Sequence, residues 1–409
     1  MISETEKTRL KEILRIDSVQ APAESGKPFG KGAYDCLVYA LDMMKKSGLT
    51  VKNIDGYCGW GEIGEGDLFG ILCHLDVVPV GKGWRYPPFG ATEENGRIYA
   101  RGALDDKGPF MAAFFALERL LKEGLTPKKR IRFILGCNEE SGWACMDRYK
   151  MTEEMPALGF SPDADFPVIN GEKGIVYHSI SYPLPAGLIS IQAGERPNMV
   201  PDEATAVLAD GTVLAEKGVS AHGSTPQKGD NALLKLLGRL SDKFDFAQEL
   251  SDAFSDPTGK NIGLNLSDDV SGALSHNLGT ARTEDGKIIF ELDVRHPVTA
   301  KKEQITEILK NRLTGEVKET FFHYPLYVPE DHPLVQTLLD AYNEVTGQNA
   351  KPIVIGGGTY ARVLPCGVAF GPCFPNSEAG IHCPDEYLDL KDFEKTIEIY
   401  YRAIKSLCF

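Results

Sequence analysis

Side chains that could hold metal ions follow the apolar segments in the first half of this sequence. His74 and Asp76 stand at the end of the apolar run Leu68–Leu75. In a strand, residues two apart point to the same side, so these two would face one direction. A histidine beside a carboxylate is typical of a metal ligand and the group that orients its ring. Taken alone, the pair could equally be a polar strand end.

Three acidic motifs repeat this placement. Asp105 and Asp106 stand directly before a strong helix pattern, Glu139 and Glu140 directly after an apolar run, and Asp163 in a loop bounded by prolines. Each has an ordinary alternative when taken alone: helix capping, a surface loop or a turn. A carboxylate can also bridge two cations, and an unligated carboxylate beside metals can act as a general base.

His382 adds a second imidazole near the end of the sequence. Alone it could be a surface-loop histidine. Two imidazoles and three carboxylates form a donor set suited to Zn²⁺, Mn²⁺ or Co²⁺. The motifs also lie where open α/β sheets build their sites, beyond the carboxyl ends of strands.

Strand and helix patterns alternate around these motifs. Leu68–Leu75 and Arg130–Gly136 have the continuous apolar character of buried parallel strands. Pro109–Lys122 has the pattern of a helix, opened by proline and followed by Gly124. This order predicts an α/β domain with a mixed sheet flanked by helices.

The pattern changes from about Tyr177. Ile288–Val294 alternates like a half-exposed strand, and helices are expected near Asn231–Lys243 and Lys302–Arg312. A chain of 409 residues exceeds one ordinary core. We therefore expect an inserted α+β lid domain at residues 177–322 and a catalytic domain at residues 1–176 and 323–409.

Composition narrows the class of partner and the compartment. The formal net charge is −14, which disfavours binding to a nucleic-acid backbone. The start of the sequence is charged and has no apolar signal segment, and no apolar stretch is long enough to span a membrane. Nine scattered cysteines indicate reduced thiols. We expect a cytoplasmic protein without membrane or nucleic-acid partners.

Five motifs together resemble the dinuclear metallopeptidases that include carboxypeptidase G, aminoacylase and the PepV-like dipeptidases. Residues 170–174 (Asn-Gly-Glu-Lys-Gly) and 356–362 (Gly-Gly-Gly-Thr-Tyr-Ala-Arg) are similar to the PepV-like branch. The five motifs are His74-Leu-Asp-Val-Val-Pro, Leu-Asp105-Asp-Lys-Gly-Pro, Asn-Glu139-Glu140-Ser-Gly, Ser-Pro-Asp163-Ala-Asp-Phe-Pro and Ile-His382-Cys-Pro-Asp-Glu.

The resemblance implies a site with two divalent cations, with Zn²⁺ favoured and Mn²⁺ or Co²⁺ as alternatives. Asp105 would bridge the cations. His74 and Asp163 would complete the shell of one cation, and Glu140 and His382 that of the other.

The resemblance also implies a general base, Glu139, and an orienting role for Asp76 toward the ring of His74. It implies a cis peptide bond between Asp105 and Asp106. In the lid domain, His222 would donate to the oxyanion of the tetrahedral intermediate.

Further residues, in the lid domain and in a glycine-rich loop, would bind substrate. Arg295 resembles the residue that binds the substrate's C-terminal carboxylate, and Asn198 resembles a residue near the oxyanion. Backbone amides of Gly357, Gly358 and Thr359 would bind a peptide carboxylate, with a bare turn as the alternative. The insertion looks short for a PepV-like lid, so His222 could serve its own subunit or a neighbouring one. Both a monomer and a homodimer stay open.

The predicted activity is hydrolysis of dipeptides or very short peptides with a free C-terminal carboxylate. An N-acyl amino acid hydrolase with the same metals is the nearest alternative. A metal-binding protein without catalysis is the alternative from another class. An unligated Glu139 beside the metals disfavours it, since a pure binding site does not need that carboxylate.

Overall fold

The computed structural model describes residues 2–375, 377 and 380–409, and the chain divides into two compact units. The first unit comprises Met1–Asn170, Val328–Ile353 and Thr359–Phe409; the second comprises Gly171–Tyr327 and Val354–Gly358. The sequence-based borders lie at 176/177 and 322/323. The short segment Val354–Gly358 groups with the second unit although it is far from the rest of that unit in sequence.

A mixed sheet forms the centre of the first unit, which confirms the predicted α/β class. Its central strands are parallel to one another, and antiparallel strands flank them. Carboxyl ends of the parallel strands therefore meet at one edge of the sheet. In order across the sheet the strands are Thr50–Ile54, Cys58–Ile63, Arg130–Gly136, Leu68–His74, Leu158–Ser161, Cys366–Ala369 and Ile169–Glu172.

The helix Lys107–Lys122 is buried on nearly all sides. It packs against the strand Leu68–His74 and against the helix Leu390–Cys408. Phe110 and Phe114 form edge-to-face contacts with the ring of Phe133 on the neighbouring strand. A helix between a sheet and a second helix needs apolar residues all round, which explains its composition.

The remaining elements of the first unit are helices and short strands around this core. The helices are Glu4–Leu14, Lys31–Lys46, Ala144–Thr152, Pro333–Thr346 and the 3-10 turn Tyr360–Val363. The short strands are Thr92–Glu94, Arg97–Tyr99 and Tyr387–Asp389 in one antiparallel sheet, and Ala164–Asp165 paired with Pro372–Cys373.

An antiparallel sheet with helices forms the second unit. Its strands pair in the order Val213–Lys217, Glu203–Leu208, Leu188–Ala193, Ser275–Glu284, Lys287–His296, Gly174–Pro183 and Glu316–His323. The helices are Ala232–Leu240, Asp245–Phe254 and Lys302–Arg312, with 3-10 turns at Pro226–Lys228 and Lys260–Ile262. Short strands lie at Ser267–Asp268, Gly272–Ala273 and Leu326–Tyr327, and Ile353–Ile355 pairs with Ile169–Glu172.

Predicted elements agree with the observed ones except at some ends. The strand Arg130–Gly136 and the helix Lys302–Arg312 are confirmed. The helix expected from Pro109 begins at Lys107, so Pro109 lies in its first turn. A proline is tolerated there because the backbone N–H groups of the first turn have no hydrogen-bond partner within the helix. Asn231 is not helical; its side chain accepts from Leu234 N and caps the helix that follows.

Among the described residues, no helix combines the length and apolar character needed to cross a bilayer.

His276 makes the stability of the second unit depend on pH. Burial lowers its pKa to about 4, even though Nε2 donates to the carbonyl of Asp256 at 2.8 Å. Within the described residues Nδ1 has no hydrogen-bond partner, so a second proton there would be buried without an acceptor. An unfolded histidine titrates near pH ~6.5. Between these values the unfolded chain binds a proton that the folded unit does not, so stability falls as the pH drops through this window.

We expect His276→Gln to reduce this acid sensitivity by about 2 kcal/mol between about pH 7 and about pH 5. The glutamine amide can still donate to a carbonyl but does not titrate. Urea unfolding of both proteins at the two pH values measures the difference. If the free energy of unfolding fell equally in the two proteins between these pH values, His276 would not be the source of the acid sensitivity.

Candidate metal centre

The expected ligands lie at the carboxyl edge of the parallel strands. His74 is the last residue of its strand, Glu139 and Glu140 follow the strand ending at Gly136, and Asp163 follows the strand ending at Ser161. Because these strands are parallel neighbours, residues far apart in sequence are brought to one place.

Asp105 lies between two groups of ligand atoms. Its Oδ1 is 2.8 Å from His74 Nε2, which is 3.7 Å from Asp163 Oδ2. Its Oδ2 is 2.7 Å from His382 Nε2, which is 3.1 Å from Glu140 Oε1. One carboxylate thus gives one oxygen to each imidazole, which is the arrangement required of a bridge between two cations.

Glu139 lies within the same cluster. Ligand atoms of His74, Asp105 and Glu140 lie within 4.8 Å of one another, and so do those of His74, Glu139 and Asp163. The carboxylate expected as a base therefore lies close to the imidazole of His74, beside the proposed metal ligands.

Buried negative charge dominates the electrostatics. Burial, together with neighbouring carboxylates, raises the pKa of Asp163 to about 7 and raises the pKa values of Glu139 and Glu140. Burial alone would lower the pKa of His382, but hydrogen bonds to Asp105 and Glu140 raise it to about 11. The cluster thus attracts positive charge strongly, and its nitrogen and oxygen donors fit a pair of divalent cations.

The chain around Asp105 is held tightly. The peptide bond between Asp105 and Asp106 is cis, which confirms that prediction. Asp106 is fully buried, and its Oδ2 accepts from His74 N at 3.0 Å. A Cβ at Gly108 would lie 2.0 Å from the carbonyl oxygen of Ala103, so only glycine permits this close turn. Asp106 was not predicted as a functional residue, and its position next to Asp105 was the available signal.

Asp76 acts through two different groups. Nδ1 of His74 is 2.8 Å from the carbonyl oxygen of Asp76 and 3.7 Å from its Oδ1. The carboxylate instead accepts from Glu139 N at 3.0 Å and Glu140 N at 3.1 Å. The closer partner of the ring is thus the main chain, and the side chain fixes the turn that carries the two glutamates.

A buried ion pair connects the segment before Asp105 with the loop of His382. Arg101 Nη1 donates to Glu386 Oε2 at 2.7 Å, and Leu104 N donates to Glu386 Oε1 at 2.9 Å. Arg101 Nη2 donates to the carbonyl of His382 at 3.3 Å. The pair therefore joins the His382 loop to the residue before Asp105. Sequence reasoning missed Arg101, which no nearby motif marks.

The second unit brings several of the expected substrate residues together. Gly223 N donates to the carbonyl of Asn198, and His222 Nδ1 is 2.7 Å from Ser224 Oγ. A Cβ on Gly223 would lie 2.7 Å from Asp293 Oδ2, so this loop lies against the carboxylate of Asp293. His222 is exposed and Asn198 is half-buried.

Arg295 is almost fully engaged within the second unit. Its Nε and Nη2 donate to the carboxylate of Asp293 at 2.7–3.0 Å, and its Nη1 donates to the carbonyl of Gly356 at 2.9 Å. The Nε–Nη2 edge of Arg295, which could otherwise bind a carboxylate in a bidentate manner, is thus paired with Asp293. Carboxylate binding by Arg295 stays a prediction, and so does binding by the backbone of Gly357 and Gly358.

Thr359 begins the next part of the first unit. Its hydroxyl accepts from Ala361 N at 3.1 Å and caps the turn Tyr360–Val363. Its side chain thus has a structural role beside the substrate role predicted for its amide.

We expect Glu386→Gln to weaken metal binding by about 10- to 100-fold. The change leaves the buried charge of Arg101 without a counter-charge and loosens the loop of His382. Metal retained across a chelator series measures the affinity. Glu344→Gln is the matched control, since it breaks the exposed ion pair with Arg402. Equal metal affinity in Glu386→Gln and the unaltered protein would refute the positioning role.

Comparisons with known proteins identify the family of this chain. The model of Peptidase family M20/M25/M40 matches residues 70–406. A relative from Bacillus subtilis (strain 168), named "Putative dipeptidase YtjP", is 41% identical over 97% of this chain and 96% of its own length.

Solved structures share the fold at low identity. A M20 family metallo-carboxypeptidase from Sulfolobus solfataricus has a TM-score of 0.64 and 19% identity, covering 99% of both chains. Human carnosine dipeptidase 1 has a TM-score of 0.62 and 16% identity, covering 99% of this chain and 96% of its own. The family model and the B. subtilis relative together confirm the resemblance found in the motifs: this chain belongs to peptidase family M20/M25/M40 and is a metallopeptidase.

Proposed function

We propose that this chain hydrolyses the peptide bond of dipeptides or very short peptides that carry a free C-terminal carboxylate. The observation that carries the proposal is the carboxylate of Asp105, shared between His74 and His382, each beside a further acidic residue. The name of the B. subtilis relative supports dipeptides as the substrate class.

The metal ligands in this proposal are Asp105 as the bridge, His74 with Asp163, and His382 with Glu140. When bound, two divalent cations polarise the scissile carbonyl and lower the pKa of the attacking water. Zn²⁺ fits the mixture of imidazole and carboxylate donors best, with Mn²⁺ and Co²⁺ as alternatives.

Glu139 moves the proton. Its carboxylate accepts the proton of the attacking water and returns it to the leaving amine nitrogen. Two features support this role. The backbone amide of Glu139 donates to Asp76, and a carboxylate oxygen of Glu139 lies within 4.8 Å of ligand atoms of His74 and Asp163. Asp76 would thus position both the base and the ligand histidine.

The proposed roles of His222, Asn198 and Arg295 in the second unit rest on the family resemblance. His222 would donate to the oxyanion, and Asn198, Arg295 and the amides of residues 357–359 would contact substrate. The free state of the described cysteines supports a cytoplasmic location. Monomer and homodimer are both compatible with this proposal.

We expect Glu139→Ala to lower kcat by about 100-fold or more, because the carboxylate proposed to accept the proton is removed. Elemental analysis should find the metal content largely retained, since the proposed ligands remain. Turnover at the normal rate would refute Glu139 as the base.

Free dipeptides should be cleaved in preference to N-acetyl amino acids when Zn²⁺, Mn²⁺ or Co²⁺ is supplied, and a chelator should abolish turnover. Product analysis over a panel of both substrate classes measures the preference. Faster cleavage of N-acetyl amino acids would favour the N-acyl amino acid hydrolase. Absence of turnover on both classes with every metal would favour a non-catalytic metal-binding protein.

A further inference from the structure

The indole of Trp143 contacts the carboxylate proposed as the general base. Trp143 Nε1 donates to Glu139 Oε1 at 3.1 Å. We propose that Trp143 is a positioning residue that fixes one oxygen of Glu139 and so directs the other toward the proton it must move. The inference rests on the proposed function, because it assigns Trp143 a role only through Glu139.

The turn between Glu139 and Trp143 places the indole N–H beside the carboxylate of Glu139. Trp143 N donates to the carbonyl of Asn138 at 2.8 Å, and Ala144 N donates to Asn138 Oδ1 at 3.0 Å. Trp143 itself has φ +65°. This left-handed conformation is uncommon for a bulky residue, and it persists only where the surroundings hold it. Asn138 supplies that restraint from the residue directly before Glu139.

A buried aromatic ring braces the indole. Trp143 lies edge-to-face on Tyr360, with ring centroids 5.3 Å apart, and Tyr360 lies edge-to-face on His74 at 6.3 Å. Tyr360 is fully buried, and its hydroxyl is 2.8 Å from Cys145 Sγ. A Cβ on Gly136 would lie 2.3 Å from that hydroxyl, so glycine makes room for the ring. One ring thus supports both a proposed ligand and the residue that contacts the base.

The chemistry of indole suits positioning and little else. Its N–H is a donor only and does not titrate in the working range. Trp143 can therefore restrain the carboxylate of Glu139 without taking its proton or competing for a cation. A neutral histidine at this place could do both.

The first test compares two substitutions that remove the same kind of bond. Trp143→Phe keeps an aromatic ring against Tyr360 but loses the N–H. Trp60→Phe is the matched control, because Trp60 Nε1 donates to the carboxylate of Glu153 at 2.8 Å, away from the predicted ligands. We expect Trp143→Phe to lower kcat about tenfold or more, with KM within about twofold and metal content unchanged. Trp60→Phe should leave kcat unchanged.

A double-mutant cycle separates positioning from packing. Glu139→Asp withdraws the carboxylate by one methylene, out of reach of the indole. If Trp143 acts through Glu139, then Trp143→Phe should cost little further kcat in that background. Equal fold-losses in both backgrounds would overturn the inference, as would a Trp143→Phe variant with normal kcat.

The two proposals fail in different ways. Normal turnover of Glu139→Ala would refute the general base, and with it the proposed mechanism. An inactive Glu139→Ala variant combined with a fully active Trp143→Phe variant would refute the role of Trp143 alone.

Discussion

Negative charge packed into a small buried volume is the constraint on which this structure depends. Asp105, Glu139, Glu140 and Asp163 converge within a few ångströms of His74. Carboxylates buried together repel one another and lose their hydration, so such a cluster is stable only with positive charge among them. Asp105 contacts both imidazoles and therefore lies at the centre of the proposed cation site. The two cations proposed here would supply that positive charge.

The fold positions the carboxylates with main-chain groups. Parallel strands bring His74 and Glu139 to one edge of the sheet. Backbone amides then orient the acids: those of Glu139 and Glu140 donate to Asp76, and that of His74 donates to Asp106. Hydrogen bonds from the main chain are suited to this work because they cannot rotate away, as long side chains can.

Much of the site could be predicted from the sequence, because the motifs of His74 and Glu140 follow apolar runs and that of Asp105 precedes a strong helix. Parallel strands place their carboxyl ends together, so proximity followed from the element order. Which atoms of these residues contact one another could not be predicted from the element order. The carbonyl of Asp76 lies closer to His74 than its carboxylate does, because the chain leaves the strand at that point.

Contacts between segments distant in sequence account for the other omissions. Arg101 pairs with Glu386 across most of the chain, and no local pattern announces such a partner. Asp293 pairs with the Nε–Nη2 edge of Arg295, the residue that was predicted to bind a substrate carboxylate. Trp143 was not predicted as a functional residue, because the role proposed for it depends on a turn closed by Asn138.

Two buried arginine–carboxylate pairs have a common logic. Arg101 with Glu386 holds the loop of His382, and Arg295 with Asp293 holds the carbonyl of Gly356. A buried ion pair adds little net stability, because desolvation of both charges offsets their attraction. Apolar residues of the same size would often serve the core as well. Each guanidinium, however, has donors left over after pairing with its carboxylate, and one of its nitrogens donates to the main chain of a loop. Fixing loop geometry is therefore the better explanation for both pairs than stabilising the fold. Such geometry matters most where a ligand atom must be held to within a fraction of an ångström, as His382 Nε2 must be held beside Asp105.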